Sequence, residues 1–322
     1  MNSDLSLDDI HMRDPFIVET SPGAFVLYGT TDDNIWGGPA TGFDCYTSDD
    51  LLTWRGPHEA FRPPVGFWSE SQFWAPEVHR RHDRWYMIAT FLHAGTGVRG
   101  VGVLASDSPT GPFIPWSDGP VTPADTPSID GTLFVDDADQ AWLVYSRGAE
   151  LIGPHDGDPS DGAMYALRLD RDLRLPIGEP ALLFHASAAP WSRPLRFHAG
   201  GPSATDLGLA EDPRFTDGPF LVRSADGTLI MIWSSFSEHG YAVGQARSSS
   251  GEILGPWAQS DELVWASDGG HGMLLRTRAG EDLLVIHSPN DTPAERPMMV
   301  RVIIADGKVR AATAPRGGSD GR

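Results

Sequence analysis

Asp14, Glu77, Asp130, Asp217 and His271 share a setting that makes them candidates for chemistry. Each precedes a short apolar run, a turn rich in Asp, Gly or Asn, and a second run carrying aromatic residues. The plan is plainest in DGTLFVDDADQAWLVYS, from Asp130 to Ser146. It returns in DPFIVETSPGAFVLYGT, WAPEVHRRHDRWYMIAT, DGPFLVRSADGTLIMIWSS and HGMLLRTRAGEDLLVIHS. Carboxyl groups gathered in one hollow can act as proton donor and proton acceptor on a single bond, provided that a neighbouring acid keeps one of them protonated. Residues far apart in the chain must therefore be brought together.

Two apolar runs joined by a tight turn form a β-hairpin, and a hairpin plan repeated along a chain marks a repeat architecture. The expected fold is all-β, a five-bladed β-propeller, in which the ends of the innermost strands converge on a central channel. A second repeat runs in phase with the first: Trp-Arg-Gly-Pro at 54–57, ASDSPTGPF at 105–113 and ARSSSGEILGPW at 246–257 read as equivalent outer turns. Only the step from Asp130 to Asp217 is too long. It holds an apparent insertion, about 148–212, rich in Pro, Gly and His, and segments of that length usually either serve a site or are disordered. Trp191, Arg193, Arg196 and His198 lie there with no periodicity to place them, and Glu70 and Glu211 are further acids outside the repeat. Residues 1–305 read as one domain, because radial repeats bury their faces on one another, and 306–322 as a mobile tail.

Composition narrows the ligand. A formal charge of −20 over 322 residues disfavours nucleic acid, which needs basic patches, and leaves a neutral ligand unpenalised. With 36 Gly and 27 Pro the chain is rich in turns, and no extended helical period is present. The 11 Trp can fill wedge-shaped cores between sheets or stack on sugar rings. Trp36, in a Gly-rich loop, and Trp74, just before a strand start at the channel mouth, are candidates for ligand contact. The lone cysteine, Cys45, excludes an internal disulfide and reads as a buried strand thiol. The opening MNSDLSLDDIHMRD has no apolar core of the kind a signal peptide needs, and no run approaches a membrane span. The expectation is a soluble, cytoplasmic protein with no membrane partner.

The motifs RDPFIV, WAPEV, SIDGTLF, TDGPFLVR and GGHGM, in that order from about residue 11 to 304, resemble glycoside hydrolase family 43. The resemblance implies an inverting hydrolase of α-L-arabinofuranosides or β-D-xylosides, and the long insertion adds the expectation of a pocket-like cleft and exo action on plant-derived oligosaccharides. It places Asp14 at the family's general base, Asp130 at the carboxylate that tunes the acid, and Asp217 at the general acid, where the family has Glu. His271 matches a residue near a central structural calcium, usually through ordered water, and Trp74 and Arg296 resemble substrate contacts of the family; Glu77 and Trp36 join them as candidate substrate-binding residues from their own positions. No organic cofactor is implied. Because Asp is one methylene short, Glu77 and Glu211 are alternative proton donors, and a carbohydrate-binding propeller without catalysis is a second reading.

Overall fold

Strands alternating with turns of Gly, Asn and Asp can bury a face only by stacking sheet on sheet, and this chain closes five such sheets into a ring. The structure, a computed structural model, describes residues 4–197 and 201–312. His198 and residues 313–322 lie outside the described residues.

Each sheet has four antiparallel strands in sequence order. The first holds β1–β4 (Arg13–Ser21, Ala24–Thr30, Phe43–Ser48, Trp54–Phe61) and the second β5–β8 (Ser69–Arg81, Arg84–His93, Arg99–Ser106, Ile114–Pro115). The third holds β9–β12 (Ile129–Val135, Ala141–Arg147, Ala163–Leu169, Pro176–His185). The fourth holds β13–β16 (Asp217–Arg223, Leu229–Ser237, Gly240–Ser248, Ala258–Gln259) and the fifth β17–β20 (Gly270–Arg276, Asp282–Ser288, Arg296–Ala305, Lys308–Ala311). Among the described residues no helix is long and apolar enough to cross a membrane.

The core is divided by interface rather than by sheet. One apolar cluster fills each gap between neighbouring blades, such as Phe43, Phe61, Phe73 and Phe91 between blades one and two. Phe16, Ile17, Met273 and Val285 fill the gap where blade five meets blade one. No strand is shared across that last gap among the described residues, so packing and a few polar contacts close the ring. Cys45 is buried, as its alternating context predicts.

Two expectations change. The stretch at 148–212 is not one insertion, because β11 and β12, the outer half of blade three, lie inside it. Their sequence AMYALRL and PIGEPALLFH is separated from β10 by a polar loop, which hides the hairpin. What remains among the described residues are the segments 148–162, 186–197 and 201–216, the first and last tied by backbone bonds from Leu151 N to Gly208 O (3.0 Å), Ala210 N to Ala149 O (2.9 Å) and Arg214 N to Ser160 O (2.8 Å). The tail also begins later than 306, since Lys308–Ala311 forms the outer strand of blade five and Val309 is buried against its core.

Candidate active site

The inner strand of every blade carries the same defect, at its start in four blades and six residues in for β5. Pairing skips residues 14–15, 75–76, 130–131, 218–219 and 271–272, and the first of each pair, Asp14, Ala75, Asp130, Gly218 and His271, has φ between +46° and +57°. These are β-bulges with a left-handed residue, followed each time by Pro or Gly. A bulge at a sheet end re-aims a side chain, here toward the hub. The conformation costs an L-residue roughly 1 kcal/mol, and a backbone hydrogen bond of about the same worth offsets it.

That bond comes from the preceding blade. Opposite the residue that precedes each bulge, the second strands carry a residue able to accept: Thr30, Thr90, Ser146, Ser234 and His287. Ala75 N–H donates to Thr30 Oγ1 (2.8 Å), Asp130 N–H to Thr90 Oγ1 (2.8 Å), His271 N–H to Ser234 Oγ (2.8 Å) and Asp14 N–H to His287 Nδ1 (3.1 Å). The exception is instructive. Ser146 bonds Thr216 Oγ1 instead (2.6 Å), and the freed Gly218 N–H donates to the Asp130 carboxylate at 3.2 Å.

The bulges correct the alignment of the repeats. Asp217 stands one residue before its bulge and Glu77 two residues after, so neither is the structural equivalent of Asp14, Asp130 and His271. Glu77 lies farther along the inner strand, buried, with its carboxylate 2.9 Å from His79 Nε2.

Asp14, Asp130, Asp217 and His271 do meet. His271 Nδ1 is 3.2 Å from Asp14 Oδ1 and 3.7 Å from Asp130 Oδ2, Thr30 donates to Asp14 Oδ2 at 2.6 Å, and the Tyr241 hydroxyl donates to Asp217 Oδ2 at 3.1 Å. Burial works against ionising Asp14, but His271, Arg13 and His287 outweigh it and hold its pKa below the usual carboxylate range. Burial, followed by the Asp130 charge, pushes Asp217 up to about 7. Asp130 titrates with it and is pushed up to about 6 by burial, against the pull of His271. His271 is itself raised: burial opposes its charge, and the surrounding acids, Asp14 first, prevail. His287 is driven down to about 4 by burial. It is therefore neutral, and its acceptance of the Asp14 N–H puts the ring proton on Nε2, facing Asn290 Oδ1 at 3.2 Å.

At the mouth, Trp36 is 63 % exposed and meets Trp74 edge-on at 5.7 Å. Arg13 lies 5.4 Å from the Trp36 ring and Arg99 4.8 Å from the Trp74 ring. Trp74 is fixed by its indole N–H to Ile35 O (2.7 Å), and Arg99 by Glu150 Oε1 (2.8 Å). Arg296 does not reach the hub. It donates to the carbonyls of Asp8, Pro293 and Glu295, tying the N-terminal turn to the β18–β19 loop. The guanidinium beside the acids is Arg13, paired with the fully buried Glu295. Glu70 and Glu211 are exposed. Trp191 belongs to the core, 4.7 Å from Trp233 and against Gly244, where a Cβ would collide with it. Arg193 and Arg196 are exposed nearby.

Among the described residues no group of three or more His, Cys, Asp or Glu is arranged to hold a metal ion, and the Nδ1 of His271 already faces the acids. Calcium held through water, as the resemblance implies, would need no such group, and no step below uses it.

Sequence reasoning missed Tyr241 and His287. The second was masked: VLYGT, YMIAT, WLVYS and IMIWS put the accepting Thr or Ser last, but in LVIHS that place falls on Ser288, and only the pairing of Gly270 with His287 gives His287 the hydroxyl's role. Tyr241, on the third strand of blade four, has no such signal.

Comparison with known proteins agrees with the five-bladed fold. No curated protein matches the chain by sequence. An endo-arabinase from Bacteroides thetaiotaomicron VPI-5482 is 35 % identical, with 94 % of this chain and 98 % of that one covered at a TM-score of 0.81. A thermostable family-43 glycoside hydrolase is 22 % identical, with 97 % and 96 % covered and a TM-score of 0.75. An α-L-arabinofuranosidase from Lactobacillus brevis, 17 % identical with 97 % and 98 % covered, shares the fold at a TM-score of 0.68. Residues 9–308 match the profile of Glycosyl hydrolases family 43, and with its five blades and hub of acids the chain belongs to that family of glycoside hydrolases.

Proposed function

We propose that this glycoside hydrolase cleaves α-L-arabinofuranosyl linkages with inversion, acting on the ends of arabinose-containing oligosaccharides, with β-D-xylosyl linkages as the alternative. The observation that carries the reading is the divergence of two buried carboxyls at one hub, Asp14 held low and Asp217 raised to about 7. Such a pair supplies a base and an acid at the same pH.

Asp14, ionised, takes a proton from the water that attacks the anomeric carbon. Asp217, protonated, gives its proton to the departing oxygen as the glycosidic bond breaks. Inversion requires these carboxyls on opposite sides of the sugar, about 6.5–9.5 Å apart, with room for the water. Asp130 disfavours a second negative charge close to it and so keeps the proton on Asp217. The retained high proton affinity of Asp217 argues against a binding propeller that has lost its acid.

Attack from chain ends is supported by the tied segments 148–162 and 201–216, of which Glu150 holds Arg99 over the Trp74 ring at the mouth. Internal cleavage is the second reading, favoured by the likeness to an endo-arabinase. Digestion of linear arabinan separates them. Free arabinose as the first product, with slow loss of viscosity, supports the chain-end reading; early oligomers support the other. NMR of the first-formed anomer tests inversion, and no turnover of arabinan, xylan oligomers or either nitrophenyl glycoside by folded protein would sink the proposal.

A further inference from the structure

Tyr241 reaches the hub from an unusual direction. It belongs to β15, two strands away from the channel, yet it is 4 % exposed and its hydroxyl is 3.1 Å from Asp217 Oδ2. The ring lies in a slot between blades four and five. It stacks on His287 at 5.9 Å and 18° and packs against Phe236 at 5.4 Å, and its N–H points to Asp268 Oδ1 at 3.4 Å. The slot exists because residue 270 is glycine, where a Cβ would fall 2.4 Å from Tyr241 Cε1.

We propose that Tyr241 is a positioning residue for the proton donor: by donating its O–H to Oδ2 of Asp217 it fixes that short carboxyl in one orientation and confines the transferable proton to Oδ1. The inference rests on Asp217 being the acid. A neutral carboxyl carries one proton, so an oxygen that accepts from a phenol leaves the other to hold it. Asp is a methylene shorter than the Glu that the resemblance implies here, and orientation then decides whether the proton meets the leaving oxygen. When the bond breaks, the Oδ1 proton passes to the leaving oxygen and the charge left on Asp217 strengthens the same phenol contact. The donor role is secure at working pH, because burial and the Asp217 charge raise the phenol well above 10. The charged groups facing the pair are Asp130 on β9, Asp14 and Arg13 on β1, and His271 on β17.

The test is Tyr241→Phe, which keeps the ring in its slot and removes only the O–H, beside Asp217→Asn. Loss of kcat/KM for Tyr241→Phe should be about tenfold or more on arabino-oligosaccharide, whose alkoxide must be protonated, and under about threefold on the 2,4-dinitrophenyl arabinoside, whose leaving group needs no acid. The Asp217 carboxyl, followed without substrate by NMR of carbon-labelled aspartate, should titrate higher in Tyr241→Phe, because the lost bond favoured the ionised form. Equal losses on both substrates, or an Asp217 titration that does not move, would overturn the inference. If Asp217→Asn abolishes oligosaccharide cleavage while Tyr241→Phe matches the parent, the inference alone fails. If Asp217→Asn still cleaves oligosaccharide, the assignment of the acid fails with it.

Discussion

Replacing Asp130 by Asn should move the alkaline limb of activity without dismantling the site. The amide keeps the size of the side chain, and its oxygen can still accept from Gly218 N–H, the bond now made at 3.2 Å. Asp217 sits at about 7, against an ordinary value of 3.8, with burial the larger cause and the Asp130 carboxylate the next. Removing the charge should therefore return less than half of the rise, roughly one pH unit, worth about 1.4 kcal/mol. At pH 7 the protonated fraction of Asp217 would fall from about one half to about one tenth, a loss of roughly fivefold. At pH 5 both forms hold the proton, so this cause of loss vanishes. The assay is kcat/KM for the arabinofuranoside across pH 4–9. A loss equal at pH 5 and pH 7, or an alkaline limb that stays or moves upward, would refute the claim that Asp130 tunes Asp217 through its charge.

Asp14→Asn should lower kcat by about a hundredfold or more with little change in melting temperature, measured on arabinan and on the nitrophenyl glycoside. His287→Ala should destabilise the ring closure between blades five and one by about 2–4 kcal/mol, because it leaves Asp14 N–H without its partner and opens a buried cavity; denaturant unfolding reads this, and a change under about 0.5 kcal/mol would contradict it. Asp130 and Asp217 have raised values in the folded protein, near 6 and 7, so the stability they contribute is fully present below the unfolded carboxylate range and is lost as pH rises through those values. The melting temperature should fall between pH 5 and pH 8 by less in Asp217→Asn than in the parent, and an equal fall in both would contradict the burial of that group.

The hairpin plan, the lone buried cysteine and the motifs around Asp14, Asp130, Asp217 and His271 were legible because they rest on local rules: alternation, turn residues and a Pro or Gly after each hub position. His287 was not legible, because Ser288 after it completes the same Thr-or-Ser pattern and only strand pairing puts His287 opposite Gly270. Blade three's outer hairpin was hidden by the long polar β10–β11 loop, and the phase of Glu77 and Asp217 was misread because a bulge adds a residue that a two-residue period does not count. Arg13, rather than Arg296, came to the acids because the path of the β18–β19 loop sends Arg296 to backbone carbonyls. Only the tertiary structure could place Tyr241 beside Asp217. That contact depends on a missing Cβ at Gly270 in the next blade, and the packing of one sheet against another decides it. In the same way, the values that make Asp14 a base and Asp217 an acid come from burial and neighbouring charges, which exist only once the ring has closed.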